Sequence, residues 1–142
     1  MKIAVRYYSR SGNTKKLAEA IAKAVHAEAK TTDEPLCEDV DILFLGSSVY
    51  ANGIDGNIRM FIQSLNVKVG RVVNFSTAAL VKSTYKQVGK LLAEKHIPLA
   101  QEEFYCRGSF AMLHRGRPNE SDLKAAMAFA AAIAERAKDG RP

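Results

Sequence analysis

The run Ile3-Ala4-Val5-Arg6-Tyr7-Tyr8-Ser9-Arg10-Ser11-Gly12-Asn13-Thr14 decides how this chain is read. Its first six residues are mostly apolar and read as a buried strand, and Lys15 to Ala29 reads as a helix. Between them lies a tight strand-to-helix turn holding three hydroxyls, one glycine and one asparagine. The first amides of a helix have no intrahelical acceptor and point outward, and the helix dipole adds partial positive charge there. Such a turn suits an anion, and a phosphate best. Ser9, Ser11 and Thr14 can add hydroxyl donors, while Gly12 lets the backbone approach closely. The turn is neither a Walker A loop nor a GxGxxG dinucleotide turn, since the glycines and lysine those need are absent. Taken alone, the same residues are explained equally well by a helix cap whose hydroxyls close the orphan amides.

Outward from this turn, apolar runs alternate with helical stripes. Leu17, Ala18, Ile21, Ala24 and Val25 form one helix face, and a weak strand is predicted over about 27–32. Residues 31–39 include Pro35 and are too few for a full helix. Val40 to Leu45 reads as a strand buried on both faces, ending in a loop over 46–53. Asp55 can cap a helix with Ile58, Phe61, Ile62 and Leu65 inward, and Val69 to Phe75 reads as a strand ending at Ser76-Thr77. A helix is predicted over 84–96, with Thr84 and Gln87 at capping-box spacing. A strand over about 99–106, a loop over 107–118 and a final helix capped by Asn119 or Ser121 complete the chain.

Alternating strands and helices predict a parallel sheet covered on both faces. In such sheets a ligand sits outside the carboxyl ends of the strands, at a topological switch point. The turns over 9–14, 47–53 and 76–80 fall at those ends, and all are rich in hydroxyls and small residues, which favours a ligand over a mere cap.

A length of 142 residues predicts a single domain. The formal charge is +6, yet the lysines and arginines are dispersed and no basic strip interleaved with aromatics occurs. That disfavours nucleic-acid binding and suits acidic partners instead. No apolar run approaches a membrane span and Met1-Lys2 leads straight into a strand, so a cytoplasmic location is expected. Cys37 and Cys106 lack metal or CxxC spacing and read as two buried or half-buried thiols outside any disulfide framework. No metal site is expected. His26 and His96 fall near helix ends and read as caps or surface groups; His114 lies in a loop near the expected site.

Tyr8-Ser9-Arg10-Ser11-Gly12-Asn13-Thr14 resembles the aromatic-S/T-x-T/S-G-N-T phosphate loop of the flavodoxin family. Phe44-Leu45-Gly46-Ser47-Ser48-Val49-Tyr50-Ala51-Asn52-Gly53 and Phe75-Ser76-Thr77 resemble the two segments that flank the flavin there. The tail, Phe104-Tyr105-Cys106-Arg107-Gly108 with Gly116-Arg117-Pro118-Asn119-Glu120 and Asp122-Leu123, resembles a group of small bacterial short-chain flavodoxin-like proteins. The resemblance spans nearly the whole chain. It implies an α/β three-layer sandwich with a five-stranded parallel sheet of order 2-1-3-4-5, and noncovalent binding of FMN. Carried over by position, Ser9, Ser11, Asn13 and Thr14 would hold the phosphate, helped by the amides of Arg10 and Gly12. Ser47, Ser48, Val49, Tyr50, Ala51 and Asn52 would line the ring, with Tyr50 as the stacking aromatic. Ser76, Thr77 and Ala78 would contact the ribityl chain and ring edge.

The chain also departs from that family. It is basic where electron-carrying flavodoxins are usually acidic, and its second helix is reduced to a turn. Ala78-Ala79-Leu80-Val81-Lys82 stands where a second aromatic often lies. An FMN-binding electron carrier, with redox partner proteins of acidic surface and no residue in a catalytic role, is the leading expectation. An FMN-dependent NAD(P)H:quinone reductase or a protoporphyrinogen dehydrogenase-like oxidoreductase is the alternative. The thinly covered sheet face further predicts a homodimer over a monomer.

Overall fold

In the computed structural model, which describes residues 1–49, 56–78, 83–108 and 116–140, strand β1 (Ile3–Tyr7) is flanked by two parallel partners. These are β2 (Ala29–Thr31) on one side and β3 (Val40–Val49) on the other. Beyond β3 follow β4 (Val69–Ala78) and β5 (Phe104–Arg107), so the sheet runs β2-β1-β3-β4-β5, all parallel. The helices are α1 (Asn13–Ala24), α2 (Gly56–Gln63), α3 (Tyr85–Glu94) and α4 (Glu120–Lys138).

Strand alternation divides the core into two layers. Val5, Ile42, Phe44, Val73 and Phe75 face α1 and α4, meeting Leu17, Ile21, Ala126, Ala130 and Ile133. Leu43, Leu45 and Val72 face α2 and α3, meeting Ile58, Phe61, Ile62, Val88, Leu91 and Leu92. The small residues on α4 are what let that helix lie close to α1 and the sheet.

Both central strands run further than their apolar residues predict. β3 continues through Gly46, Ser47, Ser48 and Val49, and β4 through Ser76, Thr77 and Ala78, in the register Ser47↔Ser76, Ser48↔Thr77 and Val49↔Ala78. β4 is paired on both sides here, with β3 and β5, while β3 beyond Gly46 is paired with β4 alone, so ladder pairing rather than side-chain polarity sets where these strands end. Gly46 belongs to this extension for a packing reason: a Cβ there would overlap the ring of Phe75. At the other elements the predicted bounds shrink. α1 ends at Ala24, α3 at Glu94, and β5 begins only at Phe104, leaving Leu99 as an isolated bridge to Val72.

His26 and His96 explain the shorter helices. Each sits just past a helix end with positive φ, 58° and 57°. Ala27 N bonds Ala22 O at 2.9 Å and Ile97 N bonds Leu92 O at 3.0 Å, the reversed bonds of a Schellman cap in the place glycine usually takes.

No helix links β2 to β3; the crossover over 32–39 is irregular. Arg6 holds it in place. Its Nε donates to Glu34 O at 2.8 Å, its Nη2 to Pro35 O at 3.4 Å, and its Nη1 to Val5 O at 3.1 Å. Arg6 is 8% exposed, and burial pushes its guanidinium pKa down from the ordinary value. Leu36 drops beside it into the α2/α3 layer. One buried cation on three carbonyls and one leucine thus cover what a helix would cover.

Replacing Arg6 by Met strands two of those carbonyls and should lower unfolding stability by about 1–3 kcal/mol, read as the urea midpoint. His96→Gly relieves the left-handed backbone and should raise stability by up to about 1 kcal/mol, read as the melting temperature; a fall in melting temperature would contradict the cap assignment.

Candidate functional site

The carboxyl ends of β1 and β3 are where chain connections diverge to opposite sides of the sheet, and α1 starts above them. Gly12 is the N-cap residue of α1, with φ 89°. Its amide donates to Ser9 Oγ at 2.9 Å, closing the turn and leaving the Ser9 proton able to donate outward. Gly12 has no side chain to close the opening amides of α1, and the first turn contains no acidic residue but does carry the exposed Lys15 and Lys16. α4 starts in the opposite way. Asn119 and Asp122 form a complete capping box there, and Glu120 and Asp122 place carboxylates in the first turn. Arg10 and Ser11 are exposed, and Asn13 and Thr14 are buried.

Below the turn the structure brings three buried hydroxyls together. Thr14 Oγ1 lies 2.6 Å from Ser48 Oγ and 2.9 Å from Thr77 Oγ1, with 3.4 Å between the last two. Three hydroxyl protons serve three edges, so the triangle satisfies itself, and any one proton can be turned toward a ligand at the cost of one edge. The triangle also fastens α1 to the ends of β3 and β4.

Ser47 and Ser76 stand on the other sheet face. Ser47 donates to Thr84 Oγ1 at 3.0 Å, and Thr84 also bonds the Asn74 carboxamide, at 3.1 Å from its Nδ2 and 3.3 Å from its Oδ1. This is why Thr84, at the N-cap of α3, makes no side-chain cap: its hydroxyl is committed to the sheet. Ser76 is fully buried and its hydroxyl has no partner among the described residues. Ala78 is buried at the end of β4. Val49 closes β3. Tyr50, Ala51, Asn52, the capping Asp55 and His114 lie outside the described residues.

Sequence reasoning therefore gathered Thr14, Ser48 and Thr77 at the right end of the sheet without foreseeing that they bond one another. It missed Asn74, which with Arg71 is a polar residue inside a mostly apolar strand, and it named Gly108 only within the tail that resembles short-chain flavodoxin-like proteins.

At the start of α4, Arg117 grips Asp122 with two bonds, Nε at 2.6 Å and Nη2 at 2.8 Å, and the Asn119 amide adds a third at 2.8 Å. These partners, Arg117 first, hold the Asp122 carboxyl below its usual range. Cys106 lies in the α1/α4 layer, and burial pushes its thiol up to about 12. Cys37 is exposed.

The flavodoxin-domain family model matches residues 4–113. The chain belongs to the flavodoxin family. It is 29% identical, over 94% of its own length and 98% of the other, to an uncharacterised protein of Methanocaldococcus jannaschii. Among solved structures, a flavodoxin from the domain Archaea aligns with a TM-score of 0.77 at 18% identity, covering 97% of this chain and 99% of that one. Flavodoxin 2 from Bacillus cereus aligns with a TM-score of 0.71 at 20% identity, covering 96% and 99%. The fold is that of a flavodoxin-like flavoprotein.

Two outcomes check this geometry. At pH 8, alkylation should modify Cys37 quickly and Cys106 only on unfolding, counted by mass. Because the folded pKa of Asp122 is depressed, its contribution is present above the unfolded value of about 3.9 and lost as pH falls through the folded value. Asp122→Asn should accordingly be less stable than wild type at pH 7, with the difference shrinking below about pH 4 in acid titrations followed by circular dichroism.

Proposed function

We propose that the protein binds FMN at the carboxyl ends of β1, β3 and β4 and serves as an electron-transfer protein. The observation that carries this reading is the start of α1. It has a glycine N-cap, no carboxylate in its first turn, two lysines there, and a buried hydroxyl triangle underneath. A group with a doubly charged phosphate fits that donor set, and on the other sheet face the Ser76 hydroxyl, without a partner among the described residues, is a further polar group near the same strand ends. In this reading the hydroxyls of Ser9, Ser11 and Thr14 and the opening amides of α1 hold the phosphate, with Arg10, Gly12 and Asn13 shaping the turn. Ser48, Val49, Tyr50, Ala51 and Asn52 line the ring, Thr77 and Ala78 meet the ribityl chain, and Ser47 steadies the end of β3 from behind through Thr84. A bound flavin would supply reversible one- and two-electron transfer. The chain's own part is to bind, orient and shield it.

The basic balance supports an acidic redox partner. At the carboxyl end of the sheet, Lys15, Lys16, Arg59 and Lys86 are exposed at the starts of α1, α2 and α3, and none of these helices has an acidic first turn. Glu120 and Asp122 are the carboxylates at the start of α4, and Asp122 is paired with Arg117. Among the described residues no helix is long and apolar enough to cross a membrane.

The purified protein should show a flavin absorption spectrum, or acquire one on adding FMN, and should bind riboflavin far more weakly. Thr14→Val should lower FMN affinity about ten- to hundredfold, the worth of a hydrogen bond to a charged acceptor. Equal affinity for FMN and riboflavin would sink the assignment. Steady NAD(P)H consumption without an added partner protein would move the reading to an oxidoreductase acting on a small substrate.

A further inference from the structure

Gly108 follows β5 directly, and its amide donates to Ala78 O at 3.4 Å. Its φ is not among the positive ones, so the backbone here accepts an alanine. What a side chain would meet is the phosphate turn. A Cβ on Gly108 would stand 2.9 Å from Asn13 Nδ2, 3.4 Å from Asn13 Cβ and 3.1 Å from Thr77 Cβ. Two of these distances are inside the contact range of about 3.5–4.0 Å by several tenths of an ångström. Asn13 Nδ2 is the far end of a side chain and can give way, but Asn13 is 6% exposed and Thr77 3%, so a shift of either is passed to the residues packed around it.

Both neighbours lead to Thr14. Asn13 precedes it as the first residue of α1, and Thr77 Oγ1 lies 2.9 Å from its hydroxyl. A single methyl at position 108 therefore presses on the turn from the side and on the hydroxyl triangle from below. The edge strand β5, which contributes no hydroxyl to the triangle, in this way sets where the triangle and the first turn of α1 stand.

We propose that Gly108 is a positioning residue for phosphate selectivity: its missing side chain lets the end of β5 abut Asn13 and Thr77 and so fixes the phosphate turn in register with the sheet. The inference rests on the FMN reading for its ligand and on the packing alone for its geometry. Loss of that packing should penalise the phosphate end of the site and spare the ring end.

The experiment titrates FMN and riboflavin into apo-protein, followed by flavin fluorescence, for wild type, Gly108→Ala, Asn13→Ser and the double variant. Gly108→Ala should lower FMN affinity by about tenfold or more while riboflavin affinity changes by less than about twofold. In the double variant the loss should be smaller than the product of the two single losses, because the shorter side chain at position 13 makes room for the methyl. Equal losses for both flavins, no loss of FMN affinity, or fully multiplicative losses would overturn the proposal. Amide NMR spectra of the flavin-free proteins supply a reading independent of cofactor. The Asn13 side-chain amide and the backbone amides of residues 12–14 should shift in Gly108→Ala while the bulk of the spectrum stays in place. Unmoved resonances there would overturn the positioning role. If wild type takes up neither flavin, the FMN reading fails by itself and these resonances alone decide the geometry.

Discussion

The structure depends on parallel pairing between β3 and β4 being carried past the apolar core into polar sequence. Burying a serine or threonine in a strand costs least when backbone and side chain both find partners, as they do for Ser47, Ser48 and Thr77 though not, among the described residues, for Ser76. Here the ladder supplies the first, and the hydroxyls supply the second to one another, Ser48 and Thr77 with Thr14 on one face, Ser47 with Thr84 and Asn74 on the other. The extended strands form a firm platform at the switch point. Residues that propensity assigns to loops become rigidly placed, which is what a binding site for a flat cofactor needs. Gly46 belongs to the same constraint, since the ring of Phe75 fills the space its side chain would take, directly below the hydroxyls.

A second constraint is the economy of the crossover between β2 and β3. A doubly wound sheet ordinarily covers each face with helices, and exposed apolar strand surface invites association. This chain covers the face of β1 with Arg6, whose guanidinium is buried against carbonyls of the crossover itself, and with Leu36. A buried cation is costly unless its donors are satisfied, and three backbone acceptors meet that need. The arrangement ties the position of residues 34 and 35 to the strand that leads into the turn over 9–14.

Helix electrostatics separate the two ends of the sheet's ligand face. α4 starts with a full capping box, a bidentate Arg117–Asp122 pair and carboxylates that suit its dipole. α1 starts with a glycine and two lysines, an arrangement that its dipole disfavours in isolation and that a bound anion would make favourable. The same chain therefore shows what a helix start looks like when it serves stability and when it is left open.

Strand-helix alternation, the apolar stripes and the turn over 9–14 were legible in the sequence, because the periods of two and 3.6 residues and the turn chemistry are local properties. They carried the parallel sheet, and the resemblance to flavodoxins carried its order. The ends of elements were not legible. Nothing local in Gly46-Ser47-Ser48 or Ser76-Thr77 says strand; only the register with the neighbouring strand does. Nor could Thr84 be read correctly, since its spacing from Gln87 suggests a capping box while the tertiary fold places Asn74 and Ser47 within reach of its hydroxyl. His26 and His96 were legible as cap candidates near helix ends, but their left-handed backbone was not, because sequence preference points to glycine there and only the reversed bonds reveal it. The sequence by itself determined which residues could bind a phosphate. Tertiary structure decided how they are held: Thr14, Ser48 and Thr77 are 34 and 63 residues apart from the first to the others, and hydrogen bonds between such distant hydroxyls exist only once the sheet has assembled.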